Sequence, residues 1–202
     1  YDILYPAKMD ELCCGQPFES KGYFETAERK SLELYNELVK VSQNGTIPIL
    51  FDTSPCSLRM KKFAETQPGN NIKIYDSAEF IHSFLLNKLI FEKKTEKIAL
   101  HINCSSRKMH LEKIMKEITE RCAEVVIIPD DIGCCGFAGD KGFKLPELNK
   151  SALENLKEQI DSDCHKGFST SRTCEIGLTR HSGIEYKSIF YLLDECTGRN
   201  NQ

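Results

Sequence analysis

Apolar residues fall in short blocks along this chain, and the blocks alternate between helical and strand-like spacing. Across residues 23–42, Ala27, Leu34, Leu38 and Val41 share one side of a helix of period 3.6, which predicts an amphipathic helix. Gly45 ends it, and Ile47-Pro48-Ile49-Leu50-Phe51 reads as a buried strand. That strand delivers Thr53-Ser54-Pro55-Cys56 at its C-terminal end, where a helix running through Phe63 begins. Residues 72–75 read as a second strand, followed by a helix with Phe80, Phe84 and Leu85 inward. The lysine- and glutamate-rich stretch 92–97 reads as a linker. Residues 98–102 then form a strand leading to Cys104, and Leu111, Ile114, Met115, Ile118 and Cys122 line one helical face. Residues 125–128 read as a strand, and Leu145, Leu148, Ala152, Leu156 and Ile160 as one further helix. A strand at 168–170 delivers Ser171-Arg172-Thr173-Cys174, and a last helix carries Ile189, Leu192 and Leu193.

Alternating strands and helices predict an α/β protein with mainly parallel sheets and flanking helices. The order of features also repeats. Cys13-Cys14-Gly15, Lys21-Gly22-Tyr23 and a helix match Cys134-Cys135-Gly136, Lys141-Gly142-Phe143 and a helix. After a later strand, Thr53-Ser54-Pro55-Cys56 matches Ser171-Arg172-Thr173-Cys174. Two similar, internally duplicated lobes are therefore expected, 1–92 and 98–202. The first has no counterpart of Cys104, which would fall before residue 1. Since residue 1 is Tyr, the chain reads as a C-terminal fragment of a longer one.

Composition narrows the class. A net charge of -3 and the lack of a basic stripe with interleaved aromatics argue against nucleic-acid binding. No apolar run approaches the roughly 20 residues that span a bilayer, and no signal peptide opens the sequence. The expected location is cytoplasmic, up to a peripheral position at the inner face of the membrane. Ten cysteines could build a secreted disulfide scaffold, but such chains are short and loop-rich. Thiols kept reduced for metal or redox work fit better.

The cysteines carry the chemistry. Ten Cys and twelve Gly predict roughly 0.03 Cys-Cys-Gly triplets by chance, and there are two. Adjacent cysteines rarely bond to each other, because their Cα atoms lie about 3.8 Å apart. They can present two thiolates to one polynuclear centre, with the glycine allowing close backbone approach.

Two Cys-Cys-Gly blocks, each followed at a distance by the end of a Cys-x-x-Cys pattern, resemble the cysteine-rich domain of heterodisulfide reductase subunits. The same domain occurs in iron–sulfur subunits of glycolate oxidase and anaerobic glycerol-3-phosphate dehydrogenase. Cys13-Cys14-Gly15-Gln16-Pro17-Phe18-Glu19-Ser20-Lys21-Gly22, His101-Ile102-Asn103-Cys104 and Thr173-Cys174-Glu175-Ile176-Gly177-Leu178 look closer to the C-terminal region of FAD-linked oxidases similar to D-lactate and D-2-hydroxyglutarate dehydrogenases. The resemblance implies an electron-transfer module of an FAD/iron–sulfur oxidoreductase acting on a D-2-hydroxy acid such as D-lactate. Its electrons would come from FAD in a flavin domain of the same parent chain and pass to a quinone or cytochrome-type acceptor. The fragment alone would not turn over the substrate. Ser171 and Thr53 stand where the pattern has cysteines, which counts against the alternative of a cluster-based disulfide reductase. The resemblance implies four remaining thiolates in the second half, Cys104, Cys134, Cys135 and Cys174, enough for one [4Fe-4S] cluster. Cys13, Cys14 and Cys56 are further candidate metal ligands, which join the same centre, form a second site, or are structural. A zinc-stabilised interaction domain is the third reading, short of the Cys-x-x-Cys pairs zinc sites favour.

Other residues read more plainly. Cys122 belongs to a core face, and Cys164 and Cys196 match no ligand position. His101 is either a satisfied core histidine or a donor to a cluster sulfur or quinone-type acceptor. His181 reads as part of a helix cap. The glycines near Lys21 and Lys141 match no phosphate-loop fingerprint, and no hydrolytic triad or carboxylate pair stands out.

Overall fold

Pro48 has no amide hydrogen for a sheet ladder, so the first strand begins only after it. In the computed structural model, which describes residues 2–130 and 132–197, β1 is Ile49–Phe51 and β2 is Ile74–Asp76. They pair in parallel, with Ile49 opposite Ile74 and Phe51 opposite Asp76. The preceding helix Phe24–Val41 stops where Gln43, Asn44 and Gly45 all take positive φ. Its buried side holds Ala27 and Ser31, and further along it Leu34, Tyr35 and Leu38 pack with Met60 and Phe63 of the helix Ser54–Glu65. These elements make up one unit, which ends at Asp76.

The second unit starts at Ser77 and holds a four-stranded, all-parallel sheet. Its strands are β3 (Lys94–Leu100), β4 (Ala123–Ile127), β5 (Lys166–Ser169) and β6 (Glu185–Ser188), in the order β4-β3-β5-β6. The α/β class with parallel sheets is as expected. Strand order reverses between β3 and β5, where open α/β sheets leave a crevice at the carboxyl ends of their strands. The two strand ends are stitched together above the last ladder pair, Leu100 opposite Phe168. His101 N–H donates to Phe168 O at 2.9 Å, and Ser169 Oγ to His101 O at 3.1 Å.

Several sequence expectations need correction. The unit boundary lies at Asp76–Ser77 rather than in the charged stretch, and Lys94–Lys97 is not a linker but the start of β3. Ala78, Ile81 and Leu86 bury themselves against Leu100, Ile102, Leu111 and Met115, so this segment belongs with the second sheet. Phe80, Phe84 and Leu85 are only half-buried there, because the helix Ser77–Phe80 widens into a π turn over Ile81–Leu85 and turns its face. The single helix expected from Leu145 to Ile160 is instead a short helix, Pro146–Ala152, followed by turns. The inward residues of the whole segment are Asn149 in the helix and Leu153 and Leu156 in the turns, while Leu145 and Leu148 are exposed. Nothing in the apolar pattern predicts the edge strand β6.

Candidate metal centre

Three of the four parallel strands in the second unit deliver a cysteine from their carboxyl ends. Beyond β3, Asn103 caps the helix Cys104–Lys108, its Oδ1 accepting from the Ser105 and Ser106 amides at 3.0 Å each. Asn103 Nδ2 donates to Thr170 Oγ1 at 2.7 Å, which ties that cap to the end of β5. Beyond β5, Ser171 is the N-cap residue of the helix Arg172–Ser182, which sets Cys174 in its first turn. The loop after β4 brings Cys134 and Cys135. Hence Cys104 and Cys174 flank the point where strand order reverses, and the Cys-Cys-Gly loop closes over it.

Glycine shapes that loop. Gly136 has φ +68°, and a Cβ there would lie 2.5 Å from Leu148 O. Its amide donates to Cys134 Sγ at 3.4 Å, and Asn149 Nδ2 donates to the Cys135 carbonyl. Phe137, wholly buried, seals the far side against Gly142 and Gly177, under the Arg180 guanidinium at 5.7 Å.

The sulfurs meet in a chain. Cys135 Sγ lies 3.2 Å from Cys174 Sγ, and Cys134 interacts with both Cys104 and Cys135. Each contact shifts its two thiols in opposite directions. Cys135 pulls the Cys174 thiol well below its ordinary value, and is itself pushed up by Cys134 and Cys174. Likewise Cys104 holds Cys134 down and is raised in return. Cys135 and Cys174 are buried while Cys104 and Cys134 are exposed, so the cluster of thiols opens to solvent on one side. Among the described residues, no three His, Cys, Asp or Glu side chains are arranged around a single metal ion.

His101 joins this group, a placement that the satisfied-core reading does not predict. It is 2% exposed, and its imidazole helps lower both Cys174 and Cys134. Its Nε2 has no hydrogen-bond partner among the described residues.

The first unit repeats the loop in smaller compass. Gly15 has φ +86° and donates to Cys13 Sγ at 3.4 Å, and a Cβ there would lie 2.4 Å from Ala27 O. Cys14 Sγ lies 3.1 Å from Cys56 Sγ, in the first turn of its helix, and the contact with Cys56 brings Cys14 down to about 7. What differs is the support beneath. Arg59 is buried, with Nε donating to the Cys14 carbonyl at 3.0 Å and to Ser31 Oγ at 3.2 Å, and its other nitrogens pair with Glu19 and Glu28. One turn beyond Cys174, the corresponding place is taken by Gly177, whose space is filled by the Asn149 amide. A guanidinium in one unit and an amide in the other thus hold equivalent carbonyls, those of Cys14 and Cys135.

Replacing Arg59 with Leu should therefore destabilise the first unit by about 2 kcal/mol. Losing a buried ionic partner costs more than this, but Glu19 and Glu28 remain partly solvated. Thermal unfolding checks it, and Arg59→Lys should recover only part because it lacks the planar fork.

Asn103, Thr170, Asn149, Ser31 and Arg59 do not stand out in the sequence. Only Asn103, a capping type just before Cys104, carries a readable signal. Cys122 and Cys196 belong to a core cluster that holds none of the four thiols, with Cys196 Sγ 3.4 Å from Cys122 O, whereas Cys164 shares the buried cluster of Cys135 and Cys174.

Four cysteines in one contact chain at a strand-order reversal, with a Cys-Cys-Gly turn over them, are the decisive arrangement. Residues 98–179 match the cysteine-rich CCG domain. All four second-unit cysteines fall inside that match, and Cys13, Cys14 and Cys56 fall outside it. The chain is 27% identical to lactate utilization protein A 1 of Bacillus mycoides, over 92% of this chain and 82% of that protein. It is 24% identical to a subunit of the anaerobic glycerol-3-phosphate dehydrogenase of Escherichia coli, over 84% of this chain. The chain spans about half of that relative, 48% of its length. The resemblance to the cysteine-rich domain expected from the Cys-Cys-Gly blocks is borne out over residues 98–179, and a glycerol-3-phosphate dehydrogenase subunit stands among the relatives. No helix among the described residues is long and apolar enough to cross a membrane.

Proposed function

We propose that Cys104, Cys134, Cys135 and Cys174 of the CCG domain hold a [4Fe-4S] cluster and that the chain is a one-electron relay in an oxidoreductase. The observation that carries this reading is the convergence of four thiols, from three separate strand ends, on one crevice. Their donor chemistry fits the group. They are soft sulfur ligands, and the Cys-Cys-Gly loop adds a backbone N–H directed at sulfur. When bound, such a cluster supplies reversible one-electron transfer. The residues themselves fix its place: Asn103 and Thr170 clamp the two strand ends, Gly136 and Asn149 set the loop, and Phe137 keeps water from the inner side. The exposed Cys104–Cys134 edge leaves a short path for electrons to a partner.

The electron donor in this proposal is FAD in a flavin domain of the same parent protein, reduced by a D-2-hydroxy acid such as D-lactate. The acceptor is a quinone or cytochrome-linked carrier, met in the cytoplasm or at the inner membrane face. A relative named for lactate utilization and another that is a dehydrogenase subunit support this setting. Cys13, Cys14 and Cys56 are proposed as a subsidiary thiolate site of the first unit. Anaerobically purified protein should contain about four iron and four acid-labile sulfide per chain. Zinc without sulfide would favour the structural alternative and refute the relay.

A further inference from the structure

His101 is held so that its ring has little freedom. It directly follows β3, its amide is bonded to Phe168 O and its carbonyl accepts from Ser169 Oγ, so both backbone groups are pinned to β5. The side chain is buried, and it is in hydrogen-bonding contact with the side chain of Cys174, one of the four proposed ligands. Yet Nε2 finds no hydrogen-bond partner among the described residues. A buried polar nitrogen without a partner is costly, and proteins rarely leave one without a use. Packing alone would be served better by Leu or Phe at this position. The Cys174 sulfur, a proposed ligand, is in contact with this side chain, so a group held by that sulfur lies within its reach.

We propose that His101 is a positioning residue whose Nε2–H donates a hydrogen bond to a sulfur of the group bound by Cys174 and Cys134, and that this bond raises the group's reduction potential. The inference rests on the iron–sulfur reading above. A neutral imidazole carries one N–H, and a sulfur acceptor at Nε2 fixes the proton there. Reduction adds negative charge to the cluster, so a donor aimed at its sulfur stabilises the reduced form more than the oxidised one. Removing the donor must then lower the potential while leaving all four thiolate ligands in place. Ser171, on the other flank of Cys174, also helps lower that thiol. It is the natural second contributor and a useful comparison.

The test is an anaerobic redox titration followed by electron paramagnetic resonance, on the whole chain with iron and sulfide measured in each sample. His101→Leu should keep its iron and show a lower midpoint potential than the unaltered chain. His101→Gln, whose amide can donate, should lie between the two. If the leucine variant loses its iron, the glutamine variant decides, and a potential near that of the unaltered chain supports the donor role. Equal potentials in all three loaded proteins would overturn the inference while leaving the cluster assignment standing. Loss of iron from both variants would also overturn it, by making His101 a ligand or a folding element. An unaltered chain that takes up no iron sinks the cluster assignment first, and this inference with it.

Discussion

Serine in place of Cys134 is expected to leave anaerobically purified protein essentially free of iron and sulfide. Cys134 occupies the exposed edge of the thiol chain, between Cys104 and Cys135, and its sulfur already receives the Gly136 amide. Each iron of a [4Fe-4S] cluster normally takes one cysteine thiolate. A serine hydroxyl is a hard, weakly acidic donor and does not replace a thiolate toward a soft centre. Because the residue is exposed, the substitution opens no cavity, and the fold should survive it. Circular dichroism should show unchanged helix content alongside the lost iron. Cys122→Ser is the paired control, since Cys122 lies in a core with Ile98, Phe168 and Cys196 that holds none of the four thiols, and should retain the metal at some cost in stability. Full iron and sulfide in the Cys134 variant would remove Cys134 from the ligand set and undo the four-thiolate assignment.

What can be read from sequence here follows from how each element is stabilised. The strands β1, β3 and β4 are legible because each carries a run of three apolar residues, whereas β5 has only Phe168 as a large apolar residue. Edge strand β6 is not legible. Glu185-Tyr186-Lys187-Ser188 buries one side chain fully, Tyr186, whose ring lies against Gly167 where a Cβ would come within 2.6 Å. One inward aromatic matched to a glycine far along the chain leaves no periodic trace. The cysteines are legible because an adjacent pair with a following glycine has few other physical uses. Their supports are not, because they are ordinary polar residues that act only once folding brings them close. The helix near residue 150 shows the conflict. Leucine spacing favours turning Leu145 and Leu148 inward, but Gly136 must pack against the Leu148 carbonyl and Asn149 must reach Cys135 O. Holding the loop outweighs burying two leucines, and the helix presents Asn149 to the interior instead. The unit boundary fails for a related reason. Charge in 92–97 suggests solvent, yet a strand can keep lysines outward while Ile98, Ala99 and Leu100 fill the core behind them.

Alanine at Gly136 is expected to cost about 3 kcal/mol, far more than alanine at Gly139, three residues away in the same loop. Both glycines have nearly the same left-handed backbone, φ +68° and +70°, so both substitutions incur the αL penalty of about 1 kcal/mol or slightly more. Only Gly136 is crowded. A Cβ there would meet Leu148 O at 2.5 Å and Ala152 Cβ at 2.7 Å, whereas nothing lies within 4 Å at Gly139. Backbone cannot swing aside as a flexible side chain can, so the helix Pro146–Ala152 must back away, at an overpacking cost of about 1–3 kcal/mol. That retreat also withdraws Asn149 from the Cys135 carbonyl and shifts Cys134 and Cys135 relative to Cys174. In thermal melts the Gly136 variant should fall by roughly 10 °C and the Gly139 variant by about 5 °C, for a unit of this size. The iron content should separate them further, with the Gly139 variant loading normally and the Gly136 variant loading poorly. Gly15→Ala should mirror Gly136→Ala in the first unit, since its Cβ would meet Ala27 O at 2.4 Å and Ser31 Oγ at 2.8 Å. Equal losses at Gly136 and Gly139 would mean that backbone conformation alone demands the glycine, and that the close approach of loop to helix does not hold the site together.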